Sequence, residues 1–406
     1  MENKKETIVV VGRNYCNLLA MIRAFGMEGY KVNVLRLYKT KPKITKPLSL
    51  FKPESKSMYL NKYDSSLAEN NSIVLDALLK MGNKHNKPLL VAVDDYSLEI
   101  IDNNLNKLKE SFILSNINDT EGAISNMMDK NALKERAKAV GLPLLSSFRI
   151  KSKEGKLEIP NEISYPCFIK PNISTNSTKS KMGKYNSKED LFRVLSKYAE
   201  KEDIDFLVED FAEIKWEYSI LGYSNGKESY CPGIFKVTSG GHRERKGVSI
   251  TGEIVSREPF RDIIEKSNQL VSNLNYSGIF DVDIIETVDG KLYFIELNFR
   301  AGASIHLFTQ EGVNIPAMYA ENILENKYNR DNIKENYSLK EGQSFISEKV
   351  LMEEYIRSDI SREKAIEMYK KANVKFIHDK VDIEPYKYFK KASKIASLMR
   401  VLYKVK

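Results

Sequence analysis

The residues best suited to chemistry lie between positions 280 and 302, in FDVDIIETVDGKLYFIELNFRAG. Asp289-Gly290 separates two alternating segments and predicts a β-hairpin. With Asp289 and Gly290 as a two-residue loop, Val288 faces Lys291, Asp283 faces Glu296 and Asp281 faces Asn298. A period of two puts Glu296, Asn298 and Arg300 on one face and Tyr293, Ile295, Leu297 and Phe299 on the other, which suits a core. Carboxylates directly opposite one another destabilise a sheet. A bound divalent cation reverses that sign. Oxygen ligands of this kind suit Mg²⁺ or Mn²⁺, which take carboxylates together with phosphate oxygens. The plainer alternative is a solvated polar face on a surface hairpin.

Two further segments carry weaker signals. In YPCFIKPN, residues 165 to 172, an apolar strand delivers a lone Lys170 and stops at Pro171. The ISTNSTKSKMGKY that follows has small residues, lysines and one glycine, as suits a loop covering phosphates with backbone N–H groups. In FLVEDFAEIKWEYSI, residues 206 to 220, Glu209 and Glu217 each stand beside an apolar run. A hinge between them would offer backbone groups to a planar base, and a carboxylate could accept from ribose hydroxyls.

These residues need elements to position them. Thr7 to Val11, Gly12, a helix-like Leu18 to Phe25 stopped at Gly26–Gly29, and an alternating Lys31 to Leu37 read as the opening of a parallel doubly wound sheet. The turn reads GRNYCN, so the dinucleotide fingerprint GxGxxG is absent. Leu89 to Val93 is a further buried strand with Asp94-Asp95 at its C-terminal end, the edge where ligands sit in open α/β sheets. Asp95 is read as a helix cap in preference to a site residue. A helix, DKNALKERAKAVG, starts behind Asp129 and stops at Gly141 and Pro143. Strand-like runs recur at 167–170, 206–209, 217–223, 276–286 and 291–300, and helical periodicity dominates beyond about residue 330.

Composition bounds the function. The 406 residues are 42% hydrophobic and 29% charged, as in ordinary globular proteins. Cys16, Cys167 and Cys231 lie far apart, which argues against a disulfide scaffold or structural zinc site. The four histidines, at 85, 242, 306 and 378, make a His-based metal cluster improbable. No apolar run reaches the roughly 18–20 residues that span a bilayer, and the first residues lack the apolar core of a signal peptide. Nucleic-acid binding would need basic residues interleaved with stacking aromatics, which the strand motifs do not offer. The net charge of +9 is uneven. Residues 31 to 62 carry nine Lys or Arg against one Glu, and residues 385 to 406 carry seven with no acid, so the rest is mildly acidic.

The order of DK at 129–130, FIKPN, VEDF then WEYSI, GIFDVDIIE and FIELNFRAG resembles the ATP-grasp superfamily. Within it the chain is most similar to carboxylate–amine ligases such as D-aspartate ligase, and more distantly to D-alanine–D-alanine ligase and biotin carboxylase. The resemblance covers about residues 125 to 325. It implies a fold of α/β and α+β parts: a Rossmann-like domain over 1–125, a two-lobed ATP-grasp domain over 126–330 (lobes 126–205 and 206–330), and a basic helical extension over 331–406. It also implies ATP and Mg²⁺ (or Mn²⁺). Lys130 and Lys170 match the phosphate-holding lysines. Glu209, Asp210, Phe211 and Ala212 match the hinge that reads adenine, and Glu217 the ribose carboxylate. Asp283, Glu296 and Asn298 match the metal ligands, with Asp281 as the alternative first ligand. Arg300 matches the basic residue that steadies the acyl phosphate or substrate carboxylate. The covering loop is Ser/Thr/Lys-rich where many relatives have several glycines, and an arginine of D-alanine–D-alanine ligase is replaced by Asp281. Oxyanion stabilisation is therefore sought among Lys236, His242, Arg243, Arg245 and Arg257, with Arg257 put forward as catalytic beside Arg300 and Lys170.

The implied activity is ATP-dependent joining of a small carboxylate to an amine through an acyl phosphate. The alternatives are a carboxylase, a phosphoryl-transfer enzyme, or a nucleotide-binding regulator without turnover. No Ser, Cys or His nucleophile is required. In the tail FKKASKIASLMRVLYKVK, Ile395, Leu398, Met399 and Leu402 follow a helical apolar pattern. Such a helix either docks on the domain or rests on an anionic membrane. The expected location is cytoplasmic, with a peripheral position at the inner face of the membrane as the second option. The oligomeric state is left open, a homodimer included.

Overall fold

The computed structural model describes residues 6–403, apart from 39–50, 69, 83–86, 174–181, 241–248, 326–338 and 358 and the side chains beyond 394. Its first unit is a five-stranded parallel sheet. The strands run in the order Leu60–Leu67, Lys31–Tyr38, Thr7–Gly12, Leu89–Ala92 and Ile113–Leu114. Thr7–Gly12 is buried throughout, because helices cover both faces of a parallel sheet. The first helix, Tyr15–Met27, starts at Asn14, whose side chain accepts from the Cys16 N–H. Gly12 sits where a Cβ would meet Val93 at 2.4 Å, so the tight turn after the strand needs glycine.

A second, antiparallel five-stranded sheet holds Cys167–Pro171 between Gly183–Tyr185 and Asp205–Asp210. The third and largest has eight strands. Its central members are Tyr276–Thr287, Ile214–Asn225 and Ser229–Gly240, with Leu292–Asn298 at one edge. Helix Arg261–Asn273 covers one face through Ile263, Ile264, Leu270 and Val271. The opposite face contributes Leu221, Tyr223, Phe235 and Ile279 to a core shared with the first unit.

The segment beyond 331 is not purely helical. Ser344–Ile346 and Val374–Lys375 extend the large sheet, and three helices (Glu348–Arg357, Arg362–Lys371 and Glu384–Tyr403) pack around them. Residues 376–382 return to the first helix. Arg23 is fully buried there, its Nε donating to Asp382 Oδ2 at 2.9 Å. Its Nη1 donates to the Phe376 carbonyl at 2.6 Å, and its Nη2 to those of Ile377 and Asp382 at 2.9 and 3.1 Å. Asp382 also accepts from Ser57 Oγ and the Met58 N–H. Every polar atom of the pair is therefore answered, the condition under which a buried ion pair is tolerated.

Removing one partner leaves the other charged and dry. Arg23→Ala should cost about 3–5 kcal/mol in urea unfolding, with Asp382→Ala alike and the double variant well short of their sum. A loss near that of an exposed pair, below about 1 kcal/mol, would contradict this.

Candidate active site

The hairpin register at the carboxylates is as expected: Asp283 pairs with Glu296 and Asp281 with Asn298. It arises differently. Thr287 pairs with Lys291, leaving a three-residue loop in which Gly290 takes φ +81°, and Val288 does not face Lys291. A bulge at Ile295 then restores the register beyond it. The bulge also changes the parity of the core face. Phe294, Leu297 and Phe299 are buried, whereas Tyr293 and Ile295 are half-buried. The core assignment of Tyr293 and Ile295 is corrected accordingly.

Asp281 and Asp283 sit two apart, on the face that also carries Ser219 and Glu217. Asp283 accepts from Asn298 Nδ2 at 3.0 Å and from Ser219 Oγ at 3.3 Å. Glu296 Oε2 lies 3.1 Å from Lys130 Nζ. Arg300 donates through Nη2 to Asn298 Oδ1 at 3.2 Å and through Nε to Asp95 Oδ1 at 2.8 Å. Gly302 closes the cluster, since a Cβ there would fall 2.4 Å from Asp281 Oδ2. One Asp281 oxygen, Oδ1, is buried with no hydrogen-bond partner.

The electrostatics follow from burial and like charge. Burial, with help from Glu296, pushes the Asp281 carboxyl up to about 7. Burial and the neighbouring Asp281 and Glu296 push Asp283 well above the carboxylate range. Burial acts on Glu296 too, but Lys130 and Lys170 outweigh it and hold that carboxyl at about 2. Among the described residues no all-protein metal cage is formed. Mg²⁺ is usually held by one or two carboxylates plus substrate phosphates. The unpartnered Asp281 oxygen and the crowded acids are the donor set such an ion needs.

The cationic side comes from other elements. Asp129 caps helix Lys130–Ala139, accepting from the Ala132 N–H at 2.9 Å, which places Lys130 at the first helical position. Lys134, one turn on, was not anticipated. It lies 2.5 Å from Glu209, whose other oxygen lies 2.8 Å from Lys170. The i, i+4 spacing of Lys130 and Lys134 was the available signal. Glu209 is buried between two lysines, which hold its carboxyl below the usual range against the effect of burial. Its side chain therefore orients Lys170, and the connection between the two antiparallel sheets is Phe211 to Glu213, just after Asp210 and including Ala212. Lys184 Nζ stands 4.0 Å over the Phe211 ring.

Three expectations need correction. Asp94 is the helix cap, accepting from the Ser97 N–H at 3.0 Å, and Asp95 holds Arg300. Lys236 pairs with Tyr218, beside Ile284, on the sheet face opposite Asp283, and stacks over Trp216. Arg257 is exposed at the start of the turn Glu258–Phe260, with its charge near Cys231, and does not join the cluster. His242, Arg243, Arg245 and the covering loop from 174 to 181 lie outside the described residues.

Residues 135–317 match the ATP-grasp domain family. The chain is 24% identical over 221 residues to a formate-dependent phosphoribosylglycinamide formyltransferase of Bacteroides fragilis, covering 50% of this chain and 56% of that protein. It is 27% identical over 201 residues to a D-alanine–D-alanine ligase of Phocaeicola vulgatus, covering 47% and 60%. The chain thus spans little more than half of these relatives. An L-amino acid ligase structure from Bacillus licheniformis superposes with a TM-score of 0.61 at 15% identity over 84% of this chain and 79% of that one, a likeness of fold. The chain carries an ATP-grasp domain with homologues among ligases, and ATP-grasp enzymes use ATP and Mg²⁺. No helix among the described residues is long and apolar enough to cross a membrane.

The raised Asp281 and Asp283 carboxyls give a signed pH prediction. Their neutral forms favour the fold, so that stability is present below about pH 4 and is lost as pH rises through the raised values. Glu296, held at about 2, is constant over this range. Without Mg²⁺ the Tm should fall between about pH 5 and 8, and Asp283→Asn should raise the Tm at pH 8 by relieving about 1 kcal/mol or less of like-charge repulsion. Thermal melts with EDTA read this directly; a metal-free Tm that climbs over the interval would refute it.

Proposed function

We propose that the chain is an ATP- and Mg²⁺-dependent carboxylate–amine ligase that forms an amide through an acyl phosphate. The observation that carries this reading is the face holding Asp281, Asp283, Glu296 and Asn298, met by Lys130 and by Arg300. Mg²⁺ bound by Asp283, Glu296 and Asn298, or with Asp281 in place of Asp283, would supply charge for the terminal phosphates of ATP. Lys130 and Lys170 add two fixed positive charges, and Glu209 with Lys134 keeps Lys170 in place. In this reading Glu217, on the same sheet face, would accept from the ribose hydroxyls, and the backbone of residues 209 to 212 would meet the base.

Arg300 is anchored by Asp95, so its guanidinium is held where a substrate carboxylate or its acyl phosphate can be gripped. The substrate carboxylate attacks the γ-phosphate in line, ADP leaves, and an amine then displaces phosphate at the acyl carbon. The protein contributes position and preorganised charge, and no protein nucleophile is consumed. Asp95, Lys130, Glu296 and Asn298 line a small cavity of about 20 Å³ between the first sheet unit and the hairpin.

The second reading is a carboxylase in which bicarbonate is the acid, supported by fold likeness to a biotin carboxylase of Campylobacter jejuni, with a TM-score of 0.60. ADP release is to be screened across amino acids, other small acids and bicarbonate, with mass analysis for an amide. Glu296→Ala should lower the substrate-dependent rate by 10²-fold or more, about 2.7 kcal/mol, while far-ultraviolet circular dichroism is kept. Undiminished turnover in that variant would remove the metal assignment.

A further inference from the structure

A large cavity lies away from the carboxylate face, among the helices Glu348–Arg357, Arg362–Lys371 and Glu384–Tyr403. It is an open groove of about 860 Å³. Leu351, Ile366, Tyr369 and Phe389 contribute its apolar wall, and Ile366 is 44% exposed there. Its volume is in the range of sites that enclose a drug-sized ligand.

The charged groups around it are of one sign in effect. Arg362, Lys370, Lys390 and Lys394 line the groove, and all four are exposed. Among the described residues none of the four has an ion-pair partner. The neighbouring Lys364 and Lys371 do, both to Glu367. The one acid on the lining, Glu348, is buried, and its two oxygens accept from the N–H groups of Ile377 and His378 at 2.8 Å each. It is thus committed to the backbone and does not neutralise the lysines.

We propose that this groove binds a single-chain anionic amphiphile, with its alkyl chain on the apolar wall and its anionic head among Arg362, Lys370, Lys390 and Lys394. An apolar partner alone would leave four cations beside it unanswered. A compact anion alone would leave the exposed Ile366 and the aromatic wall in water. A long chain ending in a phosphate or carboxylate satisfies both. This site is separate from the ATP-grasp chemistry and does not rest on it.

The test is calorimetric titration of the full chain with dodecyl phosphate below its micelle concentration. Butyl phosphate has the same head on a shorter chain, and dodecyl maltoside has the same chain on a neutral head. Each removed methylene should weaken binding about fourfold, so butyl phosphate should bind more than 10³-fold more weakly. Dodecyl maltoside should bind at least about tenfold more weakly. Lys370→Glu with Lys390→Glu, and separately Ile366→Asp, should each weaken dodecyl phosphate about tenfold or more, with an unchanged Tm. Lys364→Glu, on the same helix but already paired to Glu367, should leave it unaltered. Absence of saturable dodecyl phosphate binding, equal binding of the neutral amphiphile, or affinity indifferent to both the charge reversal and Ile366→Asp would overturn the proposal.

Discussion

A buried acid, Asp281, and a half-buried one, Asp283, facing Asn298 and Glu296 across one hairpin are what the rest of the structure must accommodate. Taken alone they would weaken the sheet, since like charges in a dry environment cost more than in water. The chain surrounds them with answers from every direction. Lys130 comes from a helix N-terminus, Arg300 from just beyond the same strand, and Asn298 and Ser219 donate hydrogen bonds. What remains is one unpartnered Asp281 oxygen and two carboxyls that favour their neutral forms. A sequence selected only for stability would put an Asn or Thr there. Under the proposed function, a cation arriving with the substrate would account for three acids placed together.

Those answers also tie the three sheets together. Asp95 stands in the first turn of the helix after Leu89–Ala92 and reaches Arg300. Asn17, from the first helix, donates to the Val93 carbonyl at 2.9 Å and reaches the Ala301 carbonyl at 3.5 Å. The C-terminal edge of the parallel sheet is thus bonded to the strand end that carries Arg300. The smaller antiparallel sheet contributes Lys170 and Glu209, whose pairing extends through Lys134 to the same helix that presents Lys130. Position and charge balance are set by the same contacts.

Much of this was legible in the sequence because strand alternation and a turn dipeptide are local signals. The facing of Asp283 with Glu296 came out correctly although the turn did not. A three-residue loop and a one-residue bulge at Ile295 shift the register in opposite senses, and neither leaves a mark that alternation alone can read. The same bulge explains why Phe294 replaced Tyr293 in the core. Asp95 and Lys134 were missed for another reason: their partners, Arg300 and Glu209, are remote in the chain, and a charged residue at a helix start has a local explanation as a cap. Lys236 and Arg257 were offered because their stretch is basic, but sheet parity sends Lys236 to the far face, and only the strand pairing reveals that.

The lysines show how the local and remote parts divide the work. Lys130 and Lys134 are one turn apart, yet one meets Glu296 on the large sheet and the other Glu209 on the small sheet. A single helix therefore bridges the two halves between which a nucleotide would lie. A polyphosphate drawing Lys130 and Lys170 toward itself would compete with Glu296 and Glu209 for them, and the cation would compensate Glu296 in turn. Under the proposed function, charge would be exchanged between partners, which would lower the cost of binding. The proposed chemistry would then depend on the spacing of Lys130 from Lys134, fixed by a helix, and of Asp283 from Glu296, fixed by a bulged hairpin.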